Sequence, residues 1–229
     1  MKSITIIIPA YNEEGNLYEL VSGLYKVLDN LDQLEWNIII VNDGSTDNTL
    51  DLAKSLALEF SNILVLNNEK NLNLGLSYQR ALQHVSSEFV SWIPADGEIP
   101  PSLFSELIPL SNSKSIVITY PTNSYTERPL NRYILSKVYR TIINLVFRLR
   151  VHYQNGVSII PTKTLKKKTL ISEGFTINLE ILLKAKEDKL NIIQVPFQLK
   201  KRVFGASNAI SLKKILRLLK TLLKLLHSY

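Results

Sequence analysis

The sequence predicts an α/β protein with a mainly parallel sheet flanked by helices. Apolar runs rich in Ile and Val recur along its 229 residues, and most are separated by stretches of helix length. Strands that alternate with helices form βαβ units, in which neighbouring strands run parallel. Three apolar runs end in polar, acidic clusters, which begin at Tyr11, Asn42 and Asp96. Loops at the carboxyl ends of parallel strands meet in one crevice, so these clusters predict a single acidic site.

Seven segments have the composition of strands, because Ile and Val dominate them and turn residues follow. They cover residues 3–8, 36–42, 62–67, 88–93, 115–119, 156–160 and 191–199. The first helix-length stretch has apolar residues at helical spacing, and the second begins with residues that suit an N-cap. The predicted helices cover residues 13–31, a stretch from about 45, 129–149, 163–170 and 176–188. No segment resembles a flexible linker, so we expect residues 1–210 to form one domain.

Residues 211–229 predict a basic amphipathic helix. At about 100° per residue, Leu and Ile occupy roughly half of the helical wheel, and most of the other half is basic. The segment is too charged to span a bilayer. It is suited to lie in the interface of an anionic membrane. The alternative is that its apolar face packs on the domain.

Composition and charge narrow the function classes. The chain has no cysteine, which excludes a disulfide framework and a thiolate site. Residues 1–98 contain 5 basic and 14 acidic residues, whereas residues 99–229 contain 22 basic and 6 acidic ones. The basic residues lack the aromatic and glycine pattern of nucleic-acid modules, so no nucleic acid partner is expected. This division of charge is explained if the acidic half binds a cation and the basic half binds phosphate and a membrane.

The acidic clusters have the chemistry of a nucleotide-sugar site. A divalent cation held by carboxylates neutralises a leaving diphosphate, and Asp96 and Glu98 are candidate ligands. Residues two apart on a strand end project the same way, so both could reach one ion. Asp43, with Asn42, is placed to accept hydrogen bonds from a base or ribose, and Glu13 could do so across the cleft. Taken singly, such acids also suit helix caps.

The motifs resemble those of the family 2 glycosyltransferases with the GT-A fold, which has a Rossmann-like sheet. The resemblance lies in residues 8–16, 41–49, 73–75 and 95–101. The second half is similar to the polyprenyl-phosphate (dolichol-phosphate) sugar synthases. That similarity lies in residues 172–180, 195–197 and 202–207.

The resemblance implies roles for individual residues. Asp96 and Glu98 would hold Mg²⁺ or Mn²⁺, and Arg202 would close over the diphosphate. The position where the family usually has the first aspartate of its metal motif is Pro94, which removes one carboxylate. The residues assigned to the substrates on the donor side are Pro9, Tyr11, Glu13, Asp43, Gly75 and Ser207.

A phosphate acceptor needs cations to position it but no general base, because it is already anionic near neutral pH. The predicted helix at 129–149 and the residues before it offer such cations. Arg132 followed by Ser136 and Lys137 resembles the acceptor-phosphate segment of the lipid-phosphate synthases. The acceptor candidates are Arg128, Arg132, Ser136, Lys137 and Arg140. The alternative is a solvated basic helix face.

We therefore expect a glycosyltransferase that moves a hexose from a nucleoside-diphosphate sugar to a polyprenyl phosphate, with inversion implied by the family. Two glutamates follow the apolar residues 4–10, which fits a buried strand better than a signal peptide. We expect a cytoplasmic protein, peripheral on the cytoplasmic face of the membrane. One alternative acceptor is a glycan hydroxyl, with Glu180 or Glu98 as base. Another alternative is a degenerate nucleotide-sugar binding protein, which the proline at position 94 suggests.

Overall fold

A seven-stranded sheet forms the centre of the protein. The computed structural model describes residues 1–127, 130–201 and 212–229, and within these ranges every side chain except those of residues 127, 130–132 and 212–217. Along the sheet the strand order is β3-β2-β1-β4-β6-β5-β7. The strands are β1 (Lys2–Ala10), β2 (Leu34–Asp43), β3 (Ile63–Asn68), β4 (Phe89–Trp92), β5 (Ser115–Pro121), β6 (Ser158–Pro161) and β7 (Asn191–Phe197). All seven predicted strands are present.

The sheet is mainly parallel, as the alternation of strands and helices predicts. β1 pairs in parallel with β2 on one side and with β4 on the other, and β2 pairs in parallel with β3. The exception is β6, which runs antiparallel to both β4 and β5. The carboxyl ends of the first four strands therefore lie along one edge of the sheet.

Helices flank the sheet, and the longer ones in the first half of the chain bury apolar side chains against it. In the first helix Leu17, Leu20, Leu24 and Leu28 are buried, with the spacing of one helical face. The helices are α1 (Leu17–Asp29), α2 (Thr49–Glu59), α3 (Leu74–Leu82), α4 (Leu103–Leu110), α5 (Ser124–Glu127), α6 (Leu130–Val146), α7 (Thr162–Lys166), α8 (Ile177–Glu187) and α9 (Leu212–Ser228).

The two faces of the sheet carry separate apolar clusters. Side chains alternate along a strand, so Ile6 and Ile8 of β1 join one cluster while Ile7 joins the other. The first cluster includes residues of α1 and α4, and the second includes residues of α3, α6 and α8. A β1 strand buried on both faces accounts for its continuous apolar sequence.

The final helix also contributes to this core. Leu225 of α9 is fully buried in the second cluster, and Leu222 packs against that cluster. Leu219, Leu223 and Leu226 are about half exposed, at 52%, 58% and 45%. The apolar side chains described in α9 are thus divided between the core and the surface. None of the helices in the described part of the chain combines the length and apolar character needed to cross a bilayer.

Candidate functional site

The loops that follow β1 and β2 are joined by reciprocal hydrogen bonds. The Asn12 amide donates to the Ser45 hydroxyl at 3.0 Å, and the Thr46 amide donates to the Asn12 side-chain oxygen at 2.8 Å. The Asn48 amide donates to Glu14 Oε2 at 2.9 Å. These residues come from two of the predicted clusters, whose loops leave adjacent parallel strands. The clusters do meet, and part of their polarity serves to hold the two loops together.

Asp47 adds to this junction. Its Oδ1 accepts the Thr49 amide at 3.0 Å, and its Oδ2 accepts the Glu14 amide at 3.3 Å. Partial burial alone would raise the pKa of Asp47, but the hydrogen bonds from Thr49 and Glu14 outweigh it and lower the pKa below 3.8. Its stabilising effect is therefore present above pH 3.8 and is lost as the pH falls through the lowered value.

The third cluster lies beside the first. Its Gly97 has φ of +72°, and a Cβ there would lie 3.6 Å from the Asn16 side-chain oxygen. Asn16 in turn donates to Glu13 Oε2 at 2.7 Å. The loops of the three predicted clusters therefore lie next to one another.

Asp43, the last residue of β2, has only 5% of its surface exposed. Its Oδ1 accepts hydrogen bonds from Asn68 Nδ2 at 2.9 Å, the Leu72 amide at 2.8 Å and the Ser77 hydroxyl at 2.8 Å. Its Oδ2 accepts the Asn73 amide at 3.1 Å. Burial of a carboxylate requires such partners. Asp43 therefore fixes the segment that leads into α3, in addition to any contact with a nucleotide.

Gly75 stands in the first turn of α3 against the segment 171–175. Its amide donates to the Glu173 carbonyl at 3.0 Å. A Cβ at position 75 would lie 2.2 Å from the Ser172 carbonyl oxygen, well inside van der Waals contact. Close approach of another chain segment therefore explains this glycine.

The other residues predicted on the donor side differ in exposure. Pro9 is partly buried at the end of β1, and Tyr11, in the following loop, is 40% exposed. Glu13 is 9% exposed, and its amide donates to the Thr49 hydroxyl at 2.8 Å. Tyr11 is the residue of this group with the most surface open to a ligand.

Asp96 and Glu98 lie in a turn and not on a strand. β4 ends at Trp92, so the argument that both side chains project from a strand end is wrong. Gly97, with its positive φ, turns the chain between them, and the Glu98 amide donates to Asp96 Oδ1 at 3.2 Å. Both acids are partly exposed.

Asp96 and Glu98 are two partly exposed carboxylates, and carboxylate oxygens are ligands that Mg²⁺ takes. Among the described residues no group of three or more His, Asp or Glu side chains could hold a metal ion. Mg²⁺ in nucleotide sites, however, is usually held by one or two carboxylates, with phosphate oxygens and waters as the other ligands. The donor set of Asp96 and Glu98 suits that arrangement.

A cavity of about 140 Å³ lies beside α6. Ser136 and Lys137, both predicted for the acceptor, line it together with Arg140. Its lining residues are Pro121, Thr122, Ser124, Tyr125, Tyr133, Ser136, Lys137, Arg140, His152 and Tyr153. Cationic and hydroxyl groups therefore face a space of a size suited to a phosphate group.

His152 and the tyrosines of this cavity were not among the predicted site residues. The Arg140 guanidinium donates to the His152 carbonyl at 2.8 Å, and the His152 ring contacts the Tyr120 ring, with centroids 4.7 Å apart and planes tilted by 41°. These residues come from α5, α6 and the segments that follow β5 and α6, and only the folded chain brings them together. No short motif could have identified them.

Four predicted residues cannot be placed in the site. Arg128, Arg202 and Ser207 lie outside the described residues, and Arg132 lies in α6 with its side chain outside the described part.

Glu180, considered as a base, is fully buried, and its carboxylate accepts backbone hydrogen bonds from Ile171 and Ser172. It is not placed to touch an acceptor.

Comparison with known proteins gives the family. The family model described as Glycosyl transferase family 2 matches residues 5–175. A dolichyl-phosphate beta-glucosyltransferase of Trichomonas vaginalis is 29% identical over 153 residues, which are 62% of this chain and 47% of the relative. A dolichol-phosphate mannosyltransferase of Pyrococcus furiosus is 29% identical over 222 residues, 89% of this chain and 58% of the relative. The chain spans about half the length of these curated relatives.

Solved structures show the same fold. Glucosyl-3-phosphoglycerate synthase of Mycobacterium tuberculosis, crystallised with Mn²⁺, UDP and glucosyl-3-phosphoglycerate, superposes with a TM-score of 0.65 at 20% identity. The match covers 96% of this chain and 79% of the synthase. A complex of the same synthase with Mg²⁺ and UDP gives a TM-score of 0.67 at 18% identity. The GT-A fold predicted from the motifs is confirmed.

The contact at Gly75 generates a prediction about stability. Gly75→Ala should lower the free energy of unfolding by about 1–3 kcal/mol, because the new methyl group overlaps the Ser172 carbonyl and forces the two segments apart. Thermal and urea denaturation measure this loss. Gly174→Ala, on the segment that faces Gly75, is the matched control, since a Cβ there has no atom within 4 Å. Equal stability of the two variants would contradict the contact.

Proposed function

The chain belongs to glycosyl transferase family 2, and from this premise we propose that it transfers a hexose from a nucleoside-diphosphate sugar to a polyprenyl phosphate at a membrane surface. The dolichyl-phosphate and dolichol-phosphate transferases among its relatives support a lipid-phosphate acceptor. The family resemblance supports inversion at the anomeric carbon.

The observation that carries the proposal is the cationic cavity beside α6. Lys137, Arg140 and His152 line it, and none of the described residues that form its wall is acidic. Hydrogen bonds between a cationic side chain and a phosphate are among the strongest in proteins. We assign this cavity to the acceptor phosphate, with Arg128 and Arg132 as further candidates for the same group.

The donor would occupy the crevice formed by the three acidic loops. Pro9, Tyr11, Glu13 and Asp43 would line its nucleotide side, and Gly75 lets the segment 171–175 pack against the start of α3. Asp96 and Glu98 would hold Mg²⁺ or Mn²⁺, which supplies positive charge to the departing diphosphate. Arg202 and Ser207 are proposed to complete the diphosphate site.

Glu180 is buried and cannot act as an accessible base, and a phosphate acceptor does not need one. The second pKa of a phosphate monoester is about 6, so an acceptor oxygen is already negative near neutral pH. The protein then needs to hold this oxygen towards the anomeric carbon and does not need to remove a proton. A glycan hydroxyl would need a base, and burial of Glu180 leaves Glu98 as the remaining candidate.

A lipid acceptor also requires contact with a membrane, and two helices support this. Ile134, Leu135, Val138 and Ile142 lie along one face of α6 and are each about half exposed, at 50–52%. Leu219, Leu223 and Leu226 of α9 are similarly exposed, with Lys220 and Lys224 between them. Exposed apolar side chains flanked by Lys suit the interface of an anionic bilayer. We propose that both helices contact the cytoplasmic face.

Donor turnover with different acceptors tests the function. UDP-glucose and GDP-mannose, each with Mg²⁺, should be consumed in the presence of a polyprenyl phosphate, with the sugar recovered on the lipid. Transfer only to a glycan would overturn the lipid acceptor, and nucleotide binding without turnover would indicate a degenerate binding protein.

Lys137→Met should lower kcat/KM for the lipid about tenfold to a hundredfold, because a charge-assisted hydrogen bond is lost. Lys54→Met, in an exposed position on α2, is the matched control.

Metal dependence is tested at Asp96. Asp96→Asn should remove the Mg²⁺-dependent part of UDP or GDP binding, because an amide oxygen is a weaker cation ligand than a carboxylate. Calorimetric titrations with and without Mg²⁺ measure this difference. Asp51→Asn, at an exposed position, should leave it unchanged. If Asp96→Asn bound nucleotide and turned over as the wild type does, Asp96 would not belong to the site.

Membrane contact is tested with the exposed leucines. The double variant Leu219→Gln with Leu223→Gln should bind vesicles of phosphatidylserine and phosphatidylcholine at least about tenfold more weakly, since two apolar side chains no longer enter the bilayer. Cosedimentation measures the partition. Leu58→Gln, which changes a leucine 90% exposed on α2, should bind as the wild type does. Unchanged partition of the double variant would remove α9 from the membrane surface.

A further inference from the structure

Glu180 is a fully buried carboxylate that takes no part in the proposed chemistry. Its Oε1 accepts the Ile171 amide at 2.9 Å, and its Oε2 accepts the Ser172 amide at 2.8 Å. An ionised carboxylate without such partners would cost several kcal/mol to bury, so these bonds hold the segment firmly on α8.

Lys184, one helical turn further along α8, holds the other end of the same segment. Its ammonium group, on a residue only 2% exposed, donates to the Lys168 carbonyl at 2.7 Å. Burial lowers the pKa of Lys184, and the nearby negative charge of Glu180 opposes that shift. Two buried side chains of opposite charge thus fix residues 168–172.

The far side of this segment supports the start of α3. The Ser172 carbonyl accepts Gln79 Nε2 at 2.9 Å, and the Glu173 carbonyl accepts the Gly75 amide at 3.0 Å. Residues 72 and 73, which come just before α3, are held by hydrogen bonds from their amides to the Asp43 carboxylate. The two buried carboxylates therefore fix the beginning of α3 from opposite sides.

The end of α9 reaches the same carboxylate. The Tyr229 hydroxyl donates to Glu180 Oε1 at 3.4 Å, and the Lys168 ammonium lies 5.9 Å from the centre of the Tyr229 ring. Burial and the charge of Glu180 raise the pKa of Tyr229, so its hydroxyl stays protonated as a donor. Leu225, one turn earlier, is fully buried among the residues that pack on α8.

We propose that Glu180 is a positioning residue through which the docked end of α9 sets the affinity of the donor crevice. The path runs from Tyr229 to Glu180, then through the amides of residues 171 and 172 to Gly75 and the region held by Asp43. The helix proposed to contact the membrane is the helix that completes this network. Release of its end would loosen the first turn of α3 beside the nucleotide. This inference rests on the proposed function for the identity of the donor.

Tyr229→Phe tests the coupling because it removes only the hydroxyl. We expect hydrogen exchange at the amides of Ile171, Ser172 and Gly75 to accelerate by about tenfold, while exchange at Ile6 to Ile8 in β1 is unchanged. The Kd for UDP or GDP with Mg²⁺ should rise roughly threefold to tenfold, with KM for the lipid unchanged. Tyr18→Phe, at a tyrosine 52% exposed on α1, is the matched control and should change none of these.

Glu180→Gln should accelerate hydrogen exchange at the same amides and raise the nucleotide Kd more strongly, because the amide nitrogen of the new side chain cannot accept the backbone hydrogen bonds. If Glu180→Gln does not fold, Tyr229→Phe alone tests the coupling. Unchanged exchange at Gly75 in Tyr229→Phe would overturn the coupling, as would faster exchange with an unchanged nucleotide Kd. If neither UDP nor GDP binds the wild type, the proposed function fails, and exchange at Gly75 alone then upholds or overturns the structural path.

Discussion

The architecture of the crevice depends on the rule that a buried carboxylate must have its oxygens satisfied by hydrogen-bond donors. Asp43 and Glu180 lie far apart in sequence, yet both accept backbone amides from loops that surround α3. Loop amides are otherwise difficult to satisfy in a protein interior. Each carboxylate therefore orders a segment with little regular structure, and together they fix the chain around the start of α3.

The acidic clusters serve two physical purposes that composition alone does not separate. Glu14 and Asp47 accept amides across the loops after β1 and β2, and Asp43 is enclosed beneath them. Asp96 and Glu98 remain partly exposed in a turn. The negative charge that faces a ligand is therefore much smaller than the count of acids in the first half of the chain. A divalent cation with a diphosphate suits this smaller charge, because it brings phosphate oxygens as ligands of its own.

The fold and the meeting of the loops could be predicted from the sequence, because strand composition and helical spacing are local properties. All seven strands were predicted, and β1, buried on both faces, has the continuous apolar run expected of it. The wall of the cavity beside α6 could not be predicted in full, since His152 and Tyr125 approach Lys137 only after the chain has folded. The placement of Asp96 and Glu98 failed for a different reason. β4 ends at Trp92, four residues before Asp96, and Gly97 then turns the chain with positive φ, so neither side chain projects from a strand.

The final helix shows why an amphipathic pattern leaves two interpretations open until packing is known. A helix apolar over half its surface can cover a core or enter a membrane, and periodicity is the same in both cases. In this protein Leu225 is buried, while Leu219 and Leu223 are exposed on the same helix. The apolar half of α9 is wider than the face that packs on the core. One edge of that half is therefore buried, and the other edge stays exposed. Packing on the domain and contact with a membrane are therefore compatible. A helix that does both would place the sugar crevice and the lipid surface in a fixed relation to each other.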